Sequence, residues 1–150
     1  MTKYTEEELN KILEDHQLWL NDNTTGKRAD LSGTNLSVTN LSVTNLSDAI
    51  LRGADLRGAV LYDANLSGAD MRGAILRGAD MRGANLKYAN LSGTNLHKAN
   101  LRYADLFGTH MIDANLSSAI LNNANLKGAN LSDANLSDAD LVGAIFWGNE

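Results

Sequence analysis

The sequence predicts an all-β solenoid: a stack of four-sided coils with one short α-helix in front of it. Three observations predict this fold. From Ala29 to Gly148 every fifth residue, Leu31 through Phe146, is large and apolar. Every residue two places before such a centre is Ala or Thr, and the count never slips. All glycines except Gly26 fall two places after a centre. A period of five fits neither the alternation of a flat strand nor the 3.6-residue period of an amphipathic helix, so the chain must turn at each pentapeptide. Four short extended sides and four corners close one coil, and successive coils stack as parallel strands about 4.8 Å apart. Residues 29–148 hold 24 pentapeptides, hence six coils.

The chain divides into residues 1–28, the repeat tract 29–148 and a tail, 149–150. In the first part, Thr5 followed by Glu8 makes a capping box ahead of an amphipathic helix over roughly residues 6–20. Leu9, Ile12, Leu13, His16, Trp19 and Leu20 share its apolar face, with Glu7, Asn10, Lys11 and Glu14 opposite. Such a helix is marginal alone in water, and the nearest open surface is the first coil. The helix is therefore expected to be an N-terminal cap. A membrane-surface helix would carry Lys or Arg on its polar face, and this one is acidic. His16 reads as a satisfied interface histidine, and Leu18 faces away from the stripe. Residues 21–28 are turn formers that connect cap to coil.

Within each pentapeptide the centre fills the coil axis, and the position two before it admits only a small residue. Gly suits the corner because it adopts positive φ without a Cβ clash. Val38 and Val43 stand at corners too, and their β-branches predict a different turn type from that at Gly33, Gly53 or Gly73. The threonines Thr34, Thr39 and Thr44 occupy the inward slot, which rules out a flat, ice-binding hydroxyl lattice. One coil buries too little to offset its own ordering entropy, so stability must be cooperative along the stack.

Repeats such as Ala54-Asp55-Leu56-Arg57-Gly58, Ala64-Asn65-Leu66-Ser67-Gly68 and Ala129-Asn130-Leu131-Ser132-Asp133 resemble the A(D/N)LXX signature of the pentapeptide repeat family, over 120 of 150 residues. The resemblance implies a right-handed quadrilateral β-helix. It implies no single function, because a scaffold of this kind hosts many surfaces. Some members of the family are dimeric rods with the size and negative charge of B-DNA that act on DNA gyrase. A DNA-mimicking modulator of gyrase is thus the alternative to a protein-interaction scaffold. The uninterrupted repeats and the arginines speak against it.

At the far end only Asn149 and Glu150 follow the sixth coil. Its layer of Leu131, Leu136, Leu141 and Phe146, flanked by Ile145 and Trp147, is expected to be plugged by its own aromatics or buried against a second copy. An isologous contact of that kind closes by two-fold symmetry, so a homodimer through the C-terminal coils is expected.

Residues twenty apart share a wall. Arg52 and Arg72 lie on the first wall, Arg57 and Arg77 on the second, and Arg82 and Arg102 on the third. Like charges one strand apart repel. Either Asp55, Asp70 and Asp80 compensate them, or the patch takes an anion or an acidic partner. Lys87, Phe107, Lys127 and Trp147 alternate on the fourth wall, which suggests cation–π stacking between layers. Outward Ile50, Val60, Ile75, Ile120 and Ile145 are scattered over several walls and read as neutral substitutions.

No catalytic or metal-binding constellation is legible, and no cofactor is expected. His16, His97 and His110 have no ligand spacing, Asp113, Asp133, Asp138 and Asp140 lie on a convex rod, and the glycines form no phosphate loop. The chain has no Cys and a formal net charge of −5, so disulfides and thiolate chemistry are out, and non-specific nucleic-acid binding is disfavoured. Residues 1–8 are too polar and acidic for a signal peptide, and no apolar run approaches a membrane span. The expectation is a cytoplasmic, non-enzymatic protein with an unidentified protein partner, no membrane contact and no direct nucleic-acid binding.

Overall fold

The computed structural model describes residues 1–147, so Gly148 and the expected tail 149–150 lie outside the described residues. The pentapeptide register becomes a ladder. Each residue just before a centre bridges in parallel to the residue twenty further on, from Asp30 with Ile50 to Asn125 with Ile145.

In a pentapeptide with Asn or Asp before its centre every backbone N–H has a place to go, and the repeat pattern follows from that accounting. In the unit centred on Leu56, the Leu56 N–H donates to the Ile75 carbonyl in the next coil at 2.7 Å, and the corner Gly58 N–H donates to Arg77 at 3.0 Å. Asp55 donates back to Thr34 of the preceding coil at 2.8 Å. Ala59 closes the corner onto the Leu56 carbonyl at 3.0 Å. The N–H after the centre has no coil to reach, and the side chain before the centre takes it: Arg57 donates to Asp55 Oδ1 at 3.2 Å, as Ser67 does to Asn65 at 3.1 Å. The Asn or Asp of the repeat is therefore an Asx-turn acceptor.

Corners take one conformation throughout. Val38 has φ 58° and Val43 has φ 54°, alongside Gly33 at 59° and Gly73 at 66°. The different turn type expected for the two valines does not occur. Inter-coil bonds explain why: Val38 donates to Arg57 at 2.9 Å and Val43 to Tyr62 at 2.8 Å, and only a left-handed corner aims those N–H groups along the stack. The β-branch strain, about 1–2 kcal/mol per residue, is outweighed by the bonds it would otherwise break.

The interior is solid. Leu, Met and Ala side chains from Ala29 to Leu126 are at most 2% exposed. Thr34, Thr94 and Thr109 fit the small slot by donating their hydroxyls to Leu31, Leu91 and Leu106 carbonyls at 2.7, 2.6 and 2.8 Å.

Before the coils comes α1, Glu6–Asn21, which begins at Thr5 with both arms of the capping box formed. The Glu8 N–H donates to Thr5 Oγ1 at 3.2 Å and the Thr5 N–H to Glu8 Oε2 at 2.8 Å. Leu9 and His16 are buried against the first coil, Ile12 and Leu13 pack on the same core, and Trp19 and Leu20 are half-buried. Leu18 is exposed, as its phase on the helix requires. Ahead of α1, Thr2 pairs in parallel with Thr34, and the Asn35 N–H donates to the Thr2 carbonyl at 2.7 Å.

After α1 the chain doubles back under the helix. The Lys27 N–H donates to the Asp15 carbonyl at 3.1 Å, and Gly26, at φ 66°, lies so close that a Cβ would strike the Asp15 carbonyl oxygen and the Leu18 Cβ. Gly26→Ala is expected to destabilise the chain by about 2 kcal/mol or more, from positive-φ strain and the backbone clash together. Chemical denaturation of the two forms side by side checks this.

Candidate functional site

With the axis filled, the functional chemistry lies on the walls and the two ends. Among the described residues no group of three or more His, Cys, Asp or Glu is placed to hold a metal, and no helix is long and apolar enough to cross a membrane.

The arginine patch is largely neutralised. Arg57, Arg72 and Arg82 each reach the carboxylate two residues back, Asp55, Asp70 and Asp80, at 2.5, 2.8 and 2.6 Å. Arg52 has Ile50 at that place and crosses instead to Asp70 in the next coil. Asp70 thus bridges two guanidiniums. The side-chain hydrogen bond from Arg72 chiefly, with that from Arg52, holds its carboxyl well below the usual carboxylate range. Asp55 and Asp80 are lowered by the same kind of bond, from Arg57 and Arg82. Of the two alternatives for the arginines, compensation by Asp55, Asp70 and Asp80 is the one found at Arg52, Arg57, Arg72 and Arg82. Arg77 and Arg102 have no carboxylate at ion-pair distance among the described residues, because Ile75 and Asn100 stand where an Asp would be.

These pairs are exposed on the arginine side, so their worth is small and screened by salt. Asp70→Asn is expected to lower the melting midpoint by only a few degrees at low salt and by less at high salt. Calorimetry at two ionic strengths checks this.

The fourth wall also differs from expectation. Lys87 pairs with Asp105 at 3.0 Å, and the Phe107 ring meets Tyr88 edge-to-face at 5.5 Å. The cation–π contacts lie elsewhere, Arg28 over Trp19 at 5.8 Å and Arg82 over Tyr62 at 5.5 Å. Lys87 prefers the carboxylate one coil up because a desolvated ring face offers less than a full opposite charge.

On the third wall a depression of about 410 Å³ is lined by Tyr62, Asp63, Arg82, Gly83, Arg102 and Tyr103. At the C-terminal end, Leu131, Leu136, Leu141 and Phe146 are only half-buried, unlike every centre up to Leu126. Phe146 tilts against Trp147 with ring centroids 5.8 Å apart, yet Trp147 remains 82% exposed and Ile145 is exposed beside it.

At the N-terminal end, His16 joins helix to coil by two bonds. The Ala29 N–H donates to Nδ1 at 3.1 Å, and Nε2 donates to the Ser47 carbonyl at 3.0 Å. This fixes the neutral Nε2–H tautomer. Burial, opposed by the Ser47 bond, lowers its pKa. Trp19 stacks on the ring at 5.6 Å. Sequence placed His16 on the apolar stripe, but nothing in a linear pattern names backbone partners so far along the chain.

Comparison with known proteins agrees with this geometry. The family model for pentapeptide repeats matches in 8 copies over residues 27–61, 39–78, 74–111 and 109–148. Among curated proteins no match is found. A solved pentapeptide repeat protein from the Arabidopsis thaliana thylakoid lumen is similar at 37% identity and a TM-score of 0.63, with 64% of this chain and 67% of that chain covered. HetL of the cyanobacterium Nostoc sp. strain PCC 7120, involved in heterocyst differentiation regulation, is 36% identical over 80% of this chain and 73% of its own, with a TM-score of 0.38. QnrB1, a plasmid-mediated fluoroquinolone resistance protein, is 24% identical over 81% of this chain and 74% of its own, with a TM-score of 0.45. Stacked parallel bridges at every twentieth residue and a model match across the whole tract lead to one assignment: this chain belongs to the pentapeptide repeat family and adopts its right-handed quadrilateral β-helix.

Proposed function

We propose that the protein is a non-enzymatic interaction scaffold: six coils capped by α1, working in the cytoplasm as a rigid rod whose walls bind another protein. One observation carries the reading. The axis is occupied by the chain's own Leu, Met and Ala side chains from Ala29 to Leu126, all at most 2% exposed, which leaves no enclosed cleft along it for a substrate. Recognition then falls to the outer walls. A photo-crosslinking residue placed in turn on each wall, in cells of the native source, tests it. One wall capturing a defined protein supports the scaffold, and equal, diffuse capture from all four counts against it.

The half-buried last layer supports a homodimer through the C-terminal coils. An apolar layer with unpaired strand edges is an association surface, and Trp147 and Ile145 extend it outward. Phe146→Glu combined with Trp147→Glu is expected to convert a dimer to a monomer in solution scattering. An unchanged particle mass would refute the contact.

Mimicry of DNA toward gyrase is the second reading, and the charge of the last two coils favours it: residues 109–148 carry Asp113, Asp133, Asp138 and Asp140 and, of Lys and Arg, Lys127 alone. In the middle coils, the arginines of the first three walls break up any continuous acidic surface. The expected result of a gyrase supercoiling assay, with and without a quinolone, is no change on adding the protein.

A further inference from the structure

The third-wall depression combines features that none of the other walls shows. Gly83 leaves its corner without a side chain, the Asp63 carboxylate from the coil below folds over it into the place a Cβ would take, and Tyr103 stands above. The gap spans two strand spacings, about 10 Å along the rod. One side is a fixed flat surface: the Arg82 guanidinium lies 5.5 Å from the Tyr62 ring centroid and is held by Asp80 through Nε at 2.8 Å and Nη2 at 2.6 Å. The other side is Tyr103, 64% exposed, with Tyr62 itself 45% exposed.

Arg102, also at the rim, has Asn100 two residues back where other arginines have Asp. Asn100 is engaged with the Arg102 backbone N–H at 3.3 Å. Asp140, further up the wall, takes its hydrogen bonds from the Asn122 side chain and the Val142 N–H, and the Arg102 charge acts on it only from beyond ion-pair distance. The Arg102 guanidinium is thus a planar, bidentate donor without a carboxylate partner among the described residues, beside an aromatic-walled slot.

We propose that this slot binds a short segment of a protein partner, one that seats a flat aromatic side chain between the Arg82–Tyr62 face and Tyr103 and presents an adjacent carboxylate to Arg102. This rests on the scaffold reading and names the wall and the partner chemistry. Tyr and Arg around a small recess are the composition of interface anchor sites. A carboxylate fits better than a phosphate. One guanidinium is available, Arg82 is already matched by Asp80, and the Asp63 carboxylate over Gly83 repels a dianion more than a single carboxylate. A nucleic-acid strand would also set its phosphates against Asp63, Asp80 and Asp105, on a chain of net charge −5.

The test is a titration of the isotope-labelled full chain, followed by backbone amide shifts. The probes are acetyl-Phe-Asp-amide, acetyl-Phe-Asn-amide and inorganic phosphate. Saturable shifts are expected at Gly83, Arg102 and Tyr103, about fivefold tighter for the Asp peptide than for the Asn peptide. R102Q is expected to erase that difference with an unchanged melting midpoint, and Y103A to weaken both peptides. Equal binding of the two peptides, shifts confined to another wall, or phosphate binding tighter than either peptide would overturn the proposal. If neither peptide binds while a photo-crosslinker at Ser92 on the first wall captures a partner, the slot falls and the scaffold reading stands.

Discussion

Leu76→Ala is expected to cost roughly 2–5 kcal/mol of stability. Leu76 is 0% exposed, enclosed above by Leu96 and below by Leu56, and the layers on either side are held by hydrogen bonds that leave the wall little freedom to collapse into the void. The same substitution at Leu136, in the half-buried last layer, is expected to cost about half as much or less, since part of its surface already meets solvent. Paired denaturation curves for the two variants measure the contrast directly. Equal losses would mean that the last layer is covered in solution, and would strengthen the case for a dimer there.

His16 gives the second large effect. Its removal leaves the Ala29 N–H and the Ser47 carbonyl without their partner at the helix–coil junction, and each unsatisfied buried group costs about 1–3 kcal/mol. His16→Leu is therefore expected to lose roughly 2–5 kcal/mol. The pH dependence follows from the same contacts. Burial depresses the folded pKa below the ordinary imidazole value of about 6.5. Protonation would turn Nδ1 from an acceptor into a donor facing the Ala29 N–H, with the Arg28 cation nearby and Asp48 the opposing anion. Between the depressed folded value and 6.5 the unfolded chain binds more protons, so stability rises with pH. The contribution is fully present above about 6.5 and is lost as pH falls through the folded value. His16→Gln keeps one donor and one acceptor without titrating. It is expected to flatten the stability profile just below about pH 6.5, leaving the acid loss from Asp55, Asp70 and Asp80 at lower pH. A profile unchanged by His16→Gln would assign that slope to another group.

The coils were legible because they repeat: one centre, one small slot and one corner, restated from Leu31 onward, specify layers and walls without reference to anything distant. Ion pairs were legible in the same way, once an Arg after the centre was matched with an Asp before it, as in Arg57 and Asp55. What escaped was non-periodic or cooperative. Thr2 forms its bridge as a single residue with no pattern around it. The valine corners obey the stack rather than their own preferences, because each local strain is set against bonds to the next coil. The Arg82–Tyr62 stack needed the actual direction of a long side chain, which column arithmetic does not supply.

The bridging of each residue to its twentieth successor also restricts how such a chain can change length. Losing five residues would keep every centre, slot and corner in phase, yet it would rotate everything downstream by a quarter-turn. A loss between Gly83 and Tyr103 would set Gly108 above Gly83 in place of Tyr103, and Phe107 where Arg102 had been. Only gains or losses of a whole storey leave the vertical alignment of the façade intact, so a surface built from several storeys is inherited or lost as one piece.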